Sequence, residues 1–195
     1  MSNKLKQLCF LVIGVVLIPV WTGCSWFDRP NDSIISPSSV EKTVSSLNLP
    51  DSYYSMSDDR DDIAGLIEGN NALTGAAIDE ALRYTYNNGR NTFSMIALRL
   101  ESEEDAVTLL GEQPYDTDPV SGLRMRSSVI NLNIMGDPED GINVSGSGYY
   151  LDKEYILFYD IYLESADSSV ADNISSVFEG IGLADPVSQP MDIIV

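Results

Sequence analysis

The sequence predicts an α+β domain in which an antiparallel sheet of about five to six strands carries two or three helices packed on one face. Three features predict it. First, Asn88-Gly89 separates two alternating runs, ALRYTY and NTFSMIALRL, and both turn residues tolerate positive φ. Second, Ile142 to Leu151 and Tyr155 to Leu163 flank Asp152 and Lys153 as another hairpin. Its second arm, YILFYDIYL, is largely apolar or aromatic on both faces, which predicts a central, buried strand. Third, Ala106, Val107, Leu109 and Leu110 recur at helical spacing, as do Val170, Ile174, Val177, Phe178 and Ile181.

The other elements follow in order. Ser38-Ser39-Val40-Glu41 has capping-box spacing, and Val40, Val44 and Leu47 continue it as a short helix ending before Pro50. Asp58 to Asp62 reads DDRDD, and Ile63, Leu66 and Ile67 suggest a second short helix with acids at its positive end. In the first hairpin Leu82, Tyr84 and Tyr86 alternate with Arg83 and Thr85. Phe93, Met95, Ala97 and Arg99 share one face, and Ser94, Ile96, Leu98 and Leu100 the other. Ser102 caps the next helix with Asp105, and Gly111 and Pro114 end it. Leu123 to Ile134 reads as strand, and GDPEDG, Gly136 to Gly141, as a turn. Asp167 or Ser168 caps the last helix, Gly180 or Gly182 stops it, and the ADPVSQPMDIIV tail adds a short edge strand. An internal echo joins MIALRLESEEDAVTLLG to YDIYLESADSSVADNISSVFEG. Two strand–strand–helix units of that kind would place both helices on one face, unless the likeness is chance.

The 195-residue chain is long enough to bury a core. It has 30 acids, 11 bases and no histidine, for a net charge of −19. That surface repels phosphate backbones, so no nucleic acid partner is expected. It also repels anionic headgroups, so any membrane attachment needs another device. Salt screens repulsion among surface acids, so an acid-rich, lysine-poor surface suits a salty milieu. Cys9 and Cys24 are the two cysteines, and removal of a leader holding Cys9 leaves no partner for an internal disulfide.

A leader is what the N-terminus resembles. Lys4 and Lys6 precede the apolar run LCFLVIGVVLIPV, which is shorter than the roughly 20 residues a bilayer span needs. Thr22, Gly23 and Cys24 follow. VWTGC resembles the lipobox of prokaryotic lipoproteins, although Trp21 stands where that pattern has Leu, Val or Ile. The resemblance implies a signal peptide over 1–23, cleavage before Cys24, and a diacylglycerol on its sulfur. An uncleaved N-terminal helix and plain secretion are the alternatives. All three put the domain on the extracytoplasmic side. Ser25 to Pro37, rich in Pro, Ser, Asn and Asp, completes a tether over 24–37, and 38–195 forms a single α+β domain. The layout of that domain is loosely similar to PsbP-like and other small exported α+β domains.

The chemistry is sparse. Without histidine there is no Ser-His or Cys-His pair, and no phosphate loop or dinucleotide fingerprint is present. No catalytic residue, metal ligand or cofactor is assigned. Asp58, Asp59, Asp61 and Asp62 do not match a calcium loop, because Ile63 and Ala64 fall where a ligand and glycine belong. Arg124 and Arg126 share a strand face and suit an anionic ligand or cross-strand acids. The many strand tyrosines, Tyr149 and Tyr159 among them, suit either a binding platform or a half-buried sheet. Asn31, Asn143 and Asn173 match the glycosylation acceptor pattern. The expectation is an envelope lipoprotein that binds a protein partner or small ligand without enzymatic chemistry. A structural subunit of an envelope complex is the alternative, and a carboxylate-dependent hydrolase a remoter one.

Overall fold

In a computed structural model, residues 32–46, 54–67, 77–111, 114–132, 143–163 and 168–187 are described, with side chains excepted at 128–132, 143–144 and 168–169. The leader, Cys24, Asn31, the 136–141 turn and the tail beyond residue 187 lie outside them. The elements are α1 (Pro37–Ser46), β1 (Tyr54–Ser57), α2 (Arg60–Ile67), β2 (Ile78–Asn87), β3 (Thr92–Leu100), α3 (Glu103–Leu110), β4 (Asp116–Thr117), β5 (Arg124–Leu132), β6 (Asn143–Asp152), β7 (Tyr155–Leu163) and α4 (Ser168–Ile181). The class is α+β. The sheet has seven strands in the order β1-β2-β3-β7-β6-β5-β4, every pair antiparallel. The strands beyond the expected count are the edges β1 and β4, too short to show a hydrophobic period.

Local chemistry sets the ends of these elements. Asn88 Oδ1 accepts the amides of Arg90 (3.1 Å) and Asn91 (2.8 Å), and Gly89 turns at φ 89°. An asparagine side chain thereby replaces backbone partners in the β2–β3 turn. The β6–β7 turn puts Lys153 at φ 56°. Ser102 caps α3, accepting the Asp105 amide at 3.2 Å and donating to its carboxylate at 2.6 Å. Asp59 caps α2 by accepting the amides of Asp61 and Asp62 at 3.1 and 3.2 Å. The DDRDD acids are thus a helix start, and Arg60 reaches the Ile78 carbonyl at 3.0 Å.

One cap differs from expectation. Helix α1 begins at Pro37, and Ser36, not Ser38, accepts the Ser39 amide at 3.2 Å. Proline lacks an N–H, so the first helical position suits it, and the preceding serine becomes the cap. In the unit from Ser33 to Val195, Ile35 is fully buried in the core.

Strand β7 is the middle strand of the order. Tyr155, Leu157, Tyr159, Ile161 and Leu163 lie on a first face with Leu82, Tyr84, Tyr86, Phe93, Met95, Ala97 and Tyr150. Helices α1 and α4 close this face through Val40, Val44, Val170, Ile174, Val177, Phe178 and Ile181. Gly180 allows the two helices to meet, because a Cβ there would stand 2.8 Å from Thr43 Cγ2. On the second face Ile78, Ala81, Leu98, Leu100, Leu151 and Ile156 pack against Ile63 and Ala64 of α2 and Ala106 of α3. Helices therefore cover both faces, two on each, rather than one. The reason lies in β3, where Leu98 and Leu100 are as apolar as Phe93 and Met95, so neither side can be left to water. This arrangement also separates the echoing units. Helix α3 follows β3 onto the second face and α4 follows β7 onto the first. A two-fold axis relating antiparallel neighbours would leave both helices on one face, so the echo is not a structural repeat.

Candidate functional site

The two helices on the second face cover only part of it. Cross-strand rows can be followed from the β6–β7 turn outward. The row Ala81–Leu98–Ile156–Leu151 is buried. The next, Ser57–Arg83–Ile96–Phe158–Tyr149–Arg126, is half-buried except for exposed Arg126. Beyond it, Ser55, Thr85, Ser94, Asp160 and Ser147 form a row of small hydroxyls around one carboxylate. Asn87, Thr92, Tyr162 and Ser145 follow, and Tyr162 is 46% exposed. The two apolar faces read into YILFYDIYL hold only toward the turn, because Asp160 and Tyr162 leave the second face open at the far end.

A depression of about 320 Å3 lies where cover gives way to open sheet, lined by Arg126, Ser147, Gly148, Tyr149 and Phe158 among others. Tyr149 stands edge-to-face between Tyr115 (6.3 Å) and Phe158 (6.1 Å). Burial pushes its hydroxyl pKa up, Tyr115 adds to that, and the Arg126 guanidinium opposes it. Burial likewise holds the Asp160 carboxyl above its ordinary range.

Of the four residues read as ligand-binding, Arg126, Tyr149 and Tyr159 border the depression and Arg124 does not. Arg126 and Tyr149 pair across β5 and β6 on the second face. Arg124 shares that face, but its guanidinium meets Glu103 at 2.6 Å and lies 5.7 Å from the Tyr115 ring centroid. It fastens α3 to β5. Tyr159 points to the opposite face, against Tyr150 (5.9 Å) and Phe178 (5.3 Å), and burial pushes its pKa up to about 12. The parity of β7 separates it from Tyr149, which only the β6–β7 register could reveal. Missing from the sequence reading were Arg83 and Phe158. Both stand in the Arg126 row, and neither is near it in sequence. Asn143 opens β6, and Asn173 is half-buried on α4 while Ser175 donates to Asp185 at 2.7 Å.

Gly148 makes room for the Tyr159 ring on the first face. A Cβ there would stand 2.6 Å from the Tyr159 hydroxyl and closer still to the Arg126 carbonyl oxygen. Neither neighbour moves freely, one being backbone and the other a buried ring. Gly148→Ala is expected to cost about 1–3 kcal/mol as an overpacked site. Urea unfolding of both chains measures it, and an unchanged midpoint would contradict the close approach.

A larger cavity, about 520 Å3, lies beside β1 and is acidic, with Glu41, Asp58, Asp79 and Glu80 around Arg60. Asp79 and Glu80 are held by Arg99 at 3.1 and 2.5 Å. Among the described residues no three carboxylates converge on a metal position, and no helix is long and apolar enough to cross a membrane.

Fold and site together define an acidic α+β domain on one antiparallel sheet, with one face closed and the other half open. No family model, no curated protein and no solved structure matches the chain.

Proposed function

We propose that this chain is an envelope lipoprotein, moored on the extracytoplasmic side through a diacylglycerol on Cys24, whose domain binds a small ligand on the open half of the second face. The two acyl chains would supply stable anchoring, which one chain does not. One observation carries the binding reading. In a chain of 30 acids and 11 bases, Arg83 and Arg126 make no ion pair among the described residues, and both stand in the row that holds Tyr149 and Phe158. Arginine with aromatic rings at a depression is a recurrent recognition surface.

Two measurements test the two halves of this reading. Cys24→Ser is expected to abolish incorporation of labelled fatty acid and to release the domain from the membrane fraction. Undiminished label on the serine variant would overturn the anchor. A panel of anionic metabolites, screened by thermal shift, is expected to yield a stabilising compound for the native chain but not for Arg126→Gln. No such difference across the panel would overturn the binding face.

A further inference from the structure

Accepting the open half-face as the binding surface, we infer the ligand class it takes: a hydroxyl-rich ring bearing a single carboxylate, as in a uronic acid. Three juxtaposed features point there. Arg126 stands exposed at the rim of the depression, with no acid paired to it among the described residues. Its planar fork matches a carboxylate bidentately, and the bond is charge-assisted. Beside it Tyr149 and Phe158 line the depression. Aromatic walls there suit the apolar C–H face of a pyranose as well as they suit another ring. The row beyond settles between those two. Ser94 and the exposed Asp160 place a hydroxyl and a carboxylate along the open sheet, while the Thr85 hydroxyl is buried.

An ionised carboxylate only accepts hydrogen bonds, so Asp160 suits hydroxyl donors and repels a second anionic group. Two strand spacings and a two-residue step separate Asp160 from Arg126, about 12 Å between Cα atoms. The ligand is thereby oriented, its carboxylate toward β5 and its hydroxyls toward β7. A flat aromatic acid would bring the Asp160 carboxylate no hydroxyl donor. The volume of about 320 Å3 is at the lower end of small-molecule sites and fits one ring rather than an enclosed chain.

The test is calorimetric titration of the full chain, kept in mild detergent, with galacturonate, galactose and benzoate. Galacturonate is expected to bind, galactose at least about tenfold more weakly, and benzoate more weakly than galacturonate. Arg126→Gln is expected to weaken galacturonate at least about tenfold, as loss of a charge-assisted hydrogen bond would. Arg90→Gln, which removes the same charge in the β2–β3 turn, is expected to leave it unchanged. Trigalacturonate identifies the source: tighter binding than the monomer marks a polysaccharide, and equal or weaker binding a free sugar acid. Galactose binding as well as galacturonate overturns the carboxylate assignment, and benzoate binding more tightly overturns the sugar ring. Equal losses in the Arg126 and Arg90 variants overturn the site. Absence of galacturonate binding at millimolar concentration overturns the ligand class, while a different anion from the panel, lost in Arg126→Gln, would leave the binding face standing.

Discussion

Phe178→Ala is expected to lower the unfolding free energy by about 3–5 kcal/mol, a large share of the roughly 5–15 kcal/mol that holds a typical domain folded. Phe178 is fully buried and projects from α4 into the centre of the first face. Its ring meets Phe93 at 6.0 Å, Tyr150 at 6.4 Å and Tyr159 at 5.3 Å between centroids. Those partners sit on β3, β6 and β7, so one side chain bridges the helix to three strands of the middle of the sheet. Truncation leaves a cavity walled by rigid rings, which collapse poorly around a void. The edge-to-face contact with Tyr159 is lost as well. Urea titration of the full chain reads the effect as a lower midpoint at unchanged slope. A loss below about 1 kcal/mol would mean that α4 is not seated as described.

Asp118→Ala is expected to cost about 2–4 kcal/mol, through donors left without an acceptor rather than through lost packing. Asp118 is 1% exposed and has no cation against it among the described residues. Its Oδ1 accepts the Ala184 amide at 3.1 Å, and its Oδ2 accepts the Ser121 amide and hydroxyl, both at 2.7 Å. The carboxylate thereby ties the β4–β5 connection to the segment that leaves α4. Tyr150 helps by donating its hydroxyl to the Ala184 carbonyl at 3.3 Å. Removing the acceptor strands buried N–H groups, each worth about 1–3 kcal/mol. Hydrogen exchange distinguishes this local effect from general weakening. The amides of Ser121 and Ala184 are expected to exchange faster by a larger factor than those of β7. Equal acceleration throughout would rule out the proposed tie.

Much of the secondary structure was readable because its causes are local. Asn88-Gly89, Ser102 with Asp105, and Gly111 act over a few residues, and each stands where its side-chain chemistry predicts. The alternation in β2 and β3 assigns their faces correctly, because period two is a property of one strand. Edges β1 and β4 were missed because strands that short carry no periodic signal. The candidate site was half readable. Arg126 and Tyr149 were identified, but their residue types alone could not separate them from Arg124, which Glu103 occupies, or from Tyr159, which the core absorbs.

Taken alone, the sequence determined the class, both hairpins, the Ser102 cap of α3 and the central place of β7, since hydrogen-bonding side chains and hydrophobic period act within a short reach of the chain. It also carries the VWTGC leader pattern on which the anchoring proposal rests. Only tertiary structure decided which helix covers which face and where that cover stops. It alone set Arg83, Phe158, Tyr149 and Arg126 in one row. Those outcomes depend on the register between strands far apart in sequence, and a shift of one residue would exchange the buried face of a strand for its open one.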